Sequence, residues 1–115
     1  MTNRFLIAGL VAAAPAALLA HHGPILYDMK KEVTAEGSLT EVKYTAPHTT
    51  ATLSSQKQKK SWKLVFGGAP GLLAGGITEE MLRSAKSVTV VGNLRRDGKA
   101  EIRVLKMTLD GKKVL

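Results

Sequence analysis

The chain has 115 residues, which is enough for one domain of modest size. It contains no cysteine, so disulfides, thiolate nucleophiles, iron–sulfur ligands and the lipid-carrying cysteine of a lipoprotein are excluded. The net charge of +8 favours anionic partners, but the basic residues are scattered outside the run at 56–60 and fit a solvated surface equally well.

Residues 1–20 have the composition of a signal peptide, with one arginine near the start and an apolar stretch over residues 5–20. That stretch is short for a membrane span, which needs about 20 residues. We therefore expect export to the periplasm or beyond, and no stable membrane anchor after cleavage. A cut after Ala20 is favoured, and one after Ala16 is the alternative. Only the first makes His21 the start of the mature chain.

Three strands are predicted in the first half of the mature chain, after an irregular lead-in. Residues 21–32 are polar and contain glycine and proline, which predicts irregular structure. Residues 33–45 alternate as a strand, with a change of parity that indicates a bulge or bend, for which Gly37 is suited. A proline ends this strand, and two further strands are predicted at 48–54 and 62–66.

After the third strand the hydrophobic period changes to that of a helix and then returns to that of strands. Residues 69–86 carry a helical stripe broken at Gly75-Gly76, with Thr78 as the cap of a short helix. Two strands are predicted at 88–94 and 102–109, joined by an Asp-Gly hairpin turn. The last strand shows a second change of parity, and another Asp-Gly pair begins a final turn and tail.

The resulting order, β-β-β-α-β-β, is that of the OB-fold, a five-stranded, partly open barrel with a helix between strands three and four. We predict that residues 33–115 form an all-β domain with one short helical segment. The domain is built as a small OB-like five-stranded barrel. A bent first strand fits barrel closure, because one long strand then serves both halves. A two-layer α+β arrangement of the same elements is the alternative.

Six short segments form one pattern spread over the mature chain. They are His21-His22-Gly23, Tyr27-Asp28, Val33-Thr34-Ala35-Glu36-Gly37, Thr45-Ala46-Pro47-His48, Ala69-Pro70-Gly71-Leu72-Leu73 and Val88-Thr89-Val90-Val91-Gly92. This pattern resembles DUF6152, a family of exported bacterial proteins of unknown function. The chain departs from the family's pattern at Gly23 and Ala46, where serine and asparagine are usual, and at Thr49, where an aromatic residue often follows the histidine. The resemblance implies export and supports the positions of the histidines, and it implies no activity.

The three histidines, His21, His22 and His48, are the candidate metal ligands. An N-terminal histidine offers its α-amine and ring Nδ1 to one metal ion, and a further imidazole completes the nitrogen-rich site that suits Cu(II). His48 is the expected third ligand, and His22 substitutes for it or binds independently. The alternative is a polar chain start and a His48 that only hydrogen-bonds in a turn. Met29 is a soft-ligand candidate for Cu(I), although a core or surface position is more usual for methionine.

The serines and glycines fit no nucleophile or phosphate-binding motif, so we expect no enzyme activity. Few aromatic residues are available for base stacking and export removes nucleic acid from reach, so we expect no nucleic-acid partner. The expected function is periplasmic copper binding or handling through His21, His22 and His48, with copper as the cofactor. The alternative is a metal-free binding module that recruits an envelope protein or a small ligand through its barrel face.

Overall fold

The computed structural model describes residues 26–115, so the predicted signal peptide and the pair His21-His22 lie outside the described residues. The described part is mostly β, with six strands and two short helices. In chain order the elements are β1 (Tyr27–Lys43), β2 (Thr50–Ser55), β3 (Lys60–Val65), α1 (Ala69–Ala74), α2 (Glu79–Ser84), β4 (Val88–Arg95), β5 (Glu101–Leu109) and β6 (Lys112–Lys113).

Strand pairing joins the five longer strands into a ring of neighbours. The strand order is β3-β2-β1-β4-β5-β6, and β3 additionally pairs with β5. The β3–β5 pair is parallel and matches Leu64 with Ile102, whereas the other pairs are antiparallel. The long strand β1 makes this ring possible, because it pairs with β4 through its first part and with β2 through its second.

Buried apolar side chains on alternate strand positions form one contiguous core in the described part of the chain. As the alternation predicts, Trp62, Leu64 and Phe66 are all buried, with exposed fractions of 7%, 0% and 3%. Burying each such side chain stabilises the fold by about 1.5–3 kcal/mol. The helices add Leu72 and Leu82, so the segment between β3 and β4 covers part of the same core.

The two predicted parity changes are confirmed as β-bulges. The register between β1 and β2 shifts around Glu41, which has a left-handed φ of 50°. The register between β4 and β5 shifts at Leu105. Gly37, which we expected at the bend of β1, has another role: a Cβ there would lie 2.1 Å from the Ser54 carbonyl oxygen, so only glycine allows the two strands to approach.

The irregular lead-in predicted over residues 21–32 is wrong for its described second half, because β1 begins at Tyr27. Tyr27 pairs with Arg95 and Glu32 with Asn93 on β4, and the register shift between these pairs makes the intervening residues bulge outward. Bulged polar residues show no alternation. The sequence pattern therefore hides a strand that pairing with β4 stabilises.

Two short helices take the place of the single helical segment that the sequence predicts. They are separated at Gly75-Gly76, where the predicted stripe breaks, and Gly76 has a φ of 85° that favours glycine. Thr78 caps α2 as predicted, since its hydroxyl oxygen accepts a hydrogen bond from the Met81 amide at 3.2 Å. Neither helix of residues 26–115 is long and apolar enough to cross a membrane.

A sixth strand forms where the sequence predicts only a turn and tail. Asp110 and Gly111 both have positive φ angles, 48° and 83°, which suit a two-residue hairpin turn. The chain then folds back so that Lys112 pairs with Leu109. The Asp110 carboxylate also accepts a hydrogen bond from the Ser87 amide at 2.8 Å, which ties this turn to the start of β4.

Candidate functional site

His48 lies in the loop between β1 and β2, and hydrogen bonds fix this loop on both sides of it. The Thr45 hydroxyl donates to the His48 carbonyl at 2.8 Å, and the Thr49 hydroxyl donates to the Thr45 carbonyl at 3.2 Å. The Thr49 amide donates to the Gly67 carbonyl at 3.0 Å, and the Phe66 amide donates to the Thr49 carbonyl at 2.9 Å. Because Thr49 is fully buried, the loop is anchored to the end of β3 and His48 has a defined position.

The His48 ring is oriented by one of its nitrogen atoms, and the other is left for a ligand. Nδ1 lies 3.2 Å from the Phe66 carbonyl oxygen. A carbonyl oxygen only accepts, so this hydrogen bond requires the proton to be on Nδ1. In the neutral ring Nε2 then carries the lone pair, and the side chain is exposed. Metal-ligating histidines are commonly held through their second nitrogen in this way.

A recessed cavity of about 340 Å³ lies beside His48. Its walls are mostly apolar and include Leu26, Val65, Phe66 and Val104. His48 and Arg103, whose side chains carry nitrogen atoms, also line the cavity. A mostly apolar cavity with a small number of polar groups is the usual composition of a small-molecule site, so we take this cavity as the candidate functional site.

The start of the described chain forms part of the cavity wall. Leu26 lines the cavity together with His48, and 36% of its surface is exposed. Tyr27 also lines the cavity and is buried, although it lies apart from the contiguous core cluster. The described part of the chain therefore begins at this cavity.

Tyr27 is held by a chain of hydrogen-bonded charged groups. Its hydroxyl donates to the Glu101 carboxylate at 2.6 Å, and Arg95 contacts that carboxylate at 3.4 Å and Asp97 at 2.7 Å. Burial and the hydrogen bond to Glu101 raise the pKa of Tyr27 above its usual value, because ionisation would put a phenolate beside a carboxylate. Hydrogen bonds from Arg95 and the Lys99 amide lower the pKa of Asp97 to about 2. These groups satisfy one another and fix this wall of the cavity.

Arg103 is the cationic residue of the cavity, and no carboxylate pairs with it. Every acidic residue of the sequence lies within residues 26–115, and the ion pairs formed there do not include Arg103. Its guanidinium Nη1 lies 3.7 Å from the Met29 sulfur, which is a weak acceptor. The nearby Glu101 carboxylate is already engaged by Tyr27 and Arg95. Arg103 therefore has strong donors that no carboxylate engages, and its register with Val65 puts the two side chains on the same face of the sheet.

Of the three predicted metal ligands, the structure places His48 at the cavity, whereas His21 and His22 lie outside the described residues. Within residues 26–115, no three His, Cys, Asp or Glu side chains lie close enough together to hold a metal ion. The metal site therefore stays a prediction that depends on residues before Leu26. Met29, the soft-ligand candidate, is about half exposed and contacts Arg103.

Sequence reasoning missed Tyr27 and Arg103 as residues of the site. Tyr27 stands in a polar segment that predicts irregular structure, and Arg103 looks like an ordinary outward position of an alternating strand. The signal that was present is the alternation of Glu101 and Arg103 with two apolar residues, which puts opposite charges on one strand face. The bulge between Tyr27 and Glu32 decides which of these charges the start of β1 engages. The sequence pattern does not show this bulge.

A comparison with curated proteins finds no match. A family model described as "Family of unknown function (DUF6152)" matches residues 8–103. The matched segment includes the three histidines and every residue that lines the cavity apart from Val104. Since the match covers most of the sequence, the chain belongs to the DUF6152 family of unknown function.

Proposed function

We propose that the chain is an exported protein that binds copper, with His21, His22 and His48 as ligands. The observation that carries this proposal is that Leu26 and His48 line the same cavity. His22 lies four positions before Leu26, and an extended chain of four such steps reaches up to about 14 Å. The histidine pair is therefore tethered within reach of the third imidazole.

The chemistry of the donor set suits Cu(II). Removal of the leader after Ala20 leaves His21 with a free α-amine beside its imidazole, and these two nitrogen atoms form a chelate. His48 supplies a third nitrogen through Nε2, because its Nδ1 is engaged by the Phe66 carbonyl. Nitrogen-only ligation in a tetragonal arrangement is what Cu(II) prefers. The role that we propose is binding or handling of the metal, in the periplasm or outside the cell, and not catalysis.

We further propose that the ring of strand pairings is an OB-like five-stranded barrel. The support for this is the combination of a long bent first strand, a parallel β3–β5 pair and helices between β3 and β4. The antiparallel pairing of β2 with β3 brings the end of β3 beside the loop between β1 and β2. This is where the His48 loop is anchored by Phe66 and Gly67.

The experiment has two stages. Mass spectrometry of the secreted protein should give a chain that begins at His21, and a chain that begins at Ala17 would refute the amine–imidazole chelate. Titration with Cu(II), followed by electron paramagnetic resonance, should then give a one-to-one, nitrogen-rich signal. We expect His48→Ala and N-terminal acetylation each to weaken binding by about tenfold or more, because each removes one ligand. Lys106→Ala, an exposed change on β5, is the control. Unchanged affinity after both His48→Ala and acetylation would overturn the proposed ligand set.

The second candidate function is a metal-free module that binds a small ligand or an envelope protein. What favours it is the apolar composition of the cavity walls, which metal binding by histidines does not require. The two candidate functions differ in the residues that they require, because the metal-free module does not need His21 or His22.

A further inference from the structure

The cavity beside His48 has the walls of a site for an apolar molecular body. Val65 at the end of β3 and Leu26 at the start of the described chain add partly exposed apolar side chains, and the core residues Phe66 and Val104 also line the space. A space of about 340 Å³ is large enough for a ring or a short alkyl chain. Water in such a space gains little from these walls, so an apolar group that replaces it is favoured.

The charge in the cavity points to an anion. The guanidinium of Arg103 has the Met29 sulfur as its contact and no carboxylate partner among the acidic residues, all of which are described. An arginine presents paired N–H donors whose geometry matches a carboxylate. His48 lines the same cavity, and its Nε2 is not the nitrogen that the Phe66 carbonyl engages. The acidic group nearest along β5, Glu101, is held by Tyr27 and Arg95 and does not compete for Arg103.

We propose that this cavity binds a small organic carboxylate with an apolar body, whose carboxylate pairs with Arg103 and whose body lies against Leu26 and Val65. The inference specifies the ligand class of the second candidate function and is independent of copper. It assigns a role to Arg103, which the metal proposal does not use.

Benzoate is a suitable probe, and benzylamine and benzyl alcohol carry the same ring with opposite charge and with none. The protein for this test is the chain with His21→Ala and His22→Ala, in buffer with a chelator, so that failure of copper binding does not affect the outcome. Isothermal titration calorimetry should show one-to-one binding of benzoate. The affinity for benzyl alcohol should be at least about tenfold lower, because it carries no charge to pair with Arg103. Benzylamine should not bind, because the guanidinium repels its positive charge.

Arg103→Gln should weaken benzoate binding by about tenfold or more, and Arg103→Lys should give a smaller loss because it keeps the charge but not the paired donors. Lys106→Gln is the matched control, since it removes one positive charge from an exposed position of the same strand. Amide chemical shifts of Gly67 and Val104 should move on addition of benzoate, which also tests the site without any change at Arg103. No binding of benzoate, equal binding of benzylamine, or equal losses in Arg103→Gln and Lys106→Gln would overturn the proposal.

Discussion

Tyr27 shows how one side chain links the start of β1 to the start of β5, on the far side of β4. Its hydroxyl reaches Glu101, 74 positions away in the sequence, at 2.6 Å. The ring is buried, with 5% of its surface exposed, and it lies apart from the contiguous core. A hydrogen bond to a charged acceptor contributes about 1.5–3 kcal/mol to stability. This single contact therefore has a large share in fixing the first residues of β1.

The raised pKa of Tyr27 predicts a loss of stability at alkaline pH. The folded state favours the neutral phenol, so its contribution is complete below the unfolded tyrosine pKa of about 10 and is lost as pH rises through the higher folded pKa. We expect Tyr27→Phe to be less stable at neutral pH by about 1–3 kcal/mol and to show a shallower decline above pH of about 10. Urea unfolding at a series of pH values measures both.

Tyr44→Phe is the matched control for the alkaline experiment. It also removes a hydroxyl that donates a hydrogen bond, in this case to the Ile77 carbonyl at 2.6 Å. If the stability of Tyr27→Phe falls above pH of about 10 with the same slope as that of the unmodified chain, ionisation of Tyr27 does not cause the alkaline loss of stability.

Asp97 has the opposite dependence on pH. Because its folded pKa is lowered to about 2, its contribution to stability is present above the unfolded value of about 4 and is lost as pH falls toward 2. Hydrogen bonds from Arg95 are the main cause, so Asp97→Asn and Arg95→Gln should each flatten the fall in the unfolding midpoint between these pH values. A midpoint that still falls as steeply in both variants would show that other carboxylates account for acid sensitivity.

At the scale of the strands, two glycines allow close approach of neighbouring backbones. A Cβ at Gly37 would lie 2.1 Å from the Ser54 carbonyl oxygen, and one at Gly92 would lie 2.1 Å from the Arg103 carbonyl oxygen. Both contacts are with backbone atoms, so relief requires the strands themselves to move. The two positions lie on β1 and β4, on which the ring of strand pairings depends.

Gly37→Ala is therefore expected to destabilise the protein by about 1–3 kcal/mol, the usual cost of overpacking. Gly71→Ala is the control, because a Cβ at Gly71 meets no atom within 4 Å and alanine favours the helix in which it lies. Guanidinium unfolding curves of the two variants provide the measurement. Equal stability of both variants would mean that the β1–β2 contact relaxes without cost.

Strand alternation was sufficient to predict most of the elements, because one face of β3 and of β5 is buried and the other is exposed. It also located two of the three bulges, since a bulge reverses the parity of every later residue in the strand, as at Val42 and Met107. The pattern failed between Tyr27 and Glu32, where the residues bulge outward and their polarity carries no period. It also missed β6, because two lysines on an edge resemble a tail.

The candidate site was predictable only in part, for a related reason. His48 is noticeable because histidine is rare and follows a proline, and the structure places it at a cavity. The importance of Arg103 depends on an absence: no carboxylate lies opposite it. Pairing of charges between strands follows from register and side-chain direction, and a linear pattern specifies neither.

At the scale of the whole molecule, the parallel β3–β5 pair joins segments that are far apart in the sequence, and its stability depends on the core beneath it. Ile102 is fully buried at this pair, opposite Leu64. Ile102→Ala should cost about 2–5 kcal/mol, because it leaves a cavity where both strands meet. Since each longer strand pairs with at least two others, hydrogen exchange in β2 and β4 should accelerate by the same factor as in β3.

Leu105→Ala, at an exposed position of the same strand, is the control and should change stability by no more than about 0.5 kcal/mol. Faster exchange confined to β3 and β5 after Ile102→Ala would show that the ring opens locally and does not unfold as one unit.

The short strand β6 has a consequence for behaviour at high concentration. It stands last in the strand order, beyond β5, where an unpaired backbone edge would otherwise invite a second molecule to add its own strand. That edge is two residues long, and both residues are lysine. Two copies that approached edge to edge would bring four positive charges together. The short lysine strand β6 therefore disfavours addition of a strand from a second copy at this edge of the sheet.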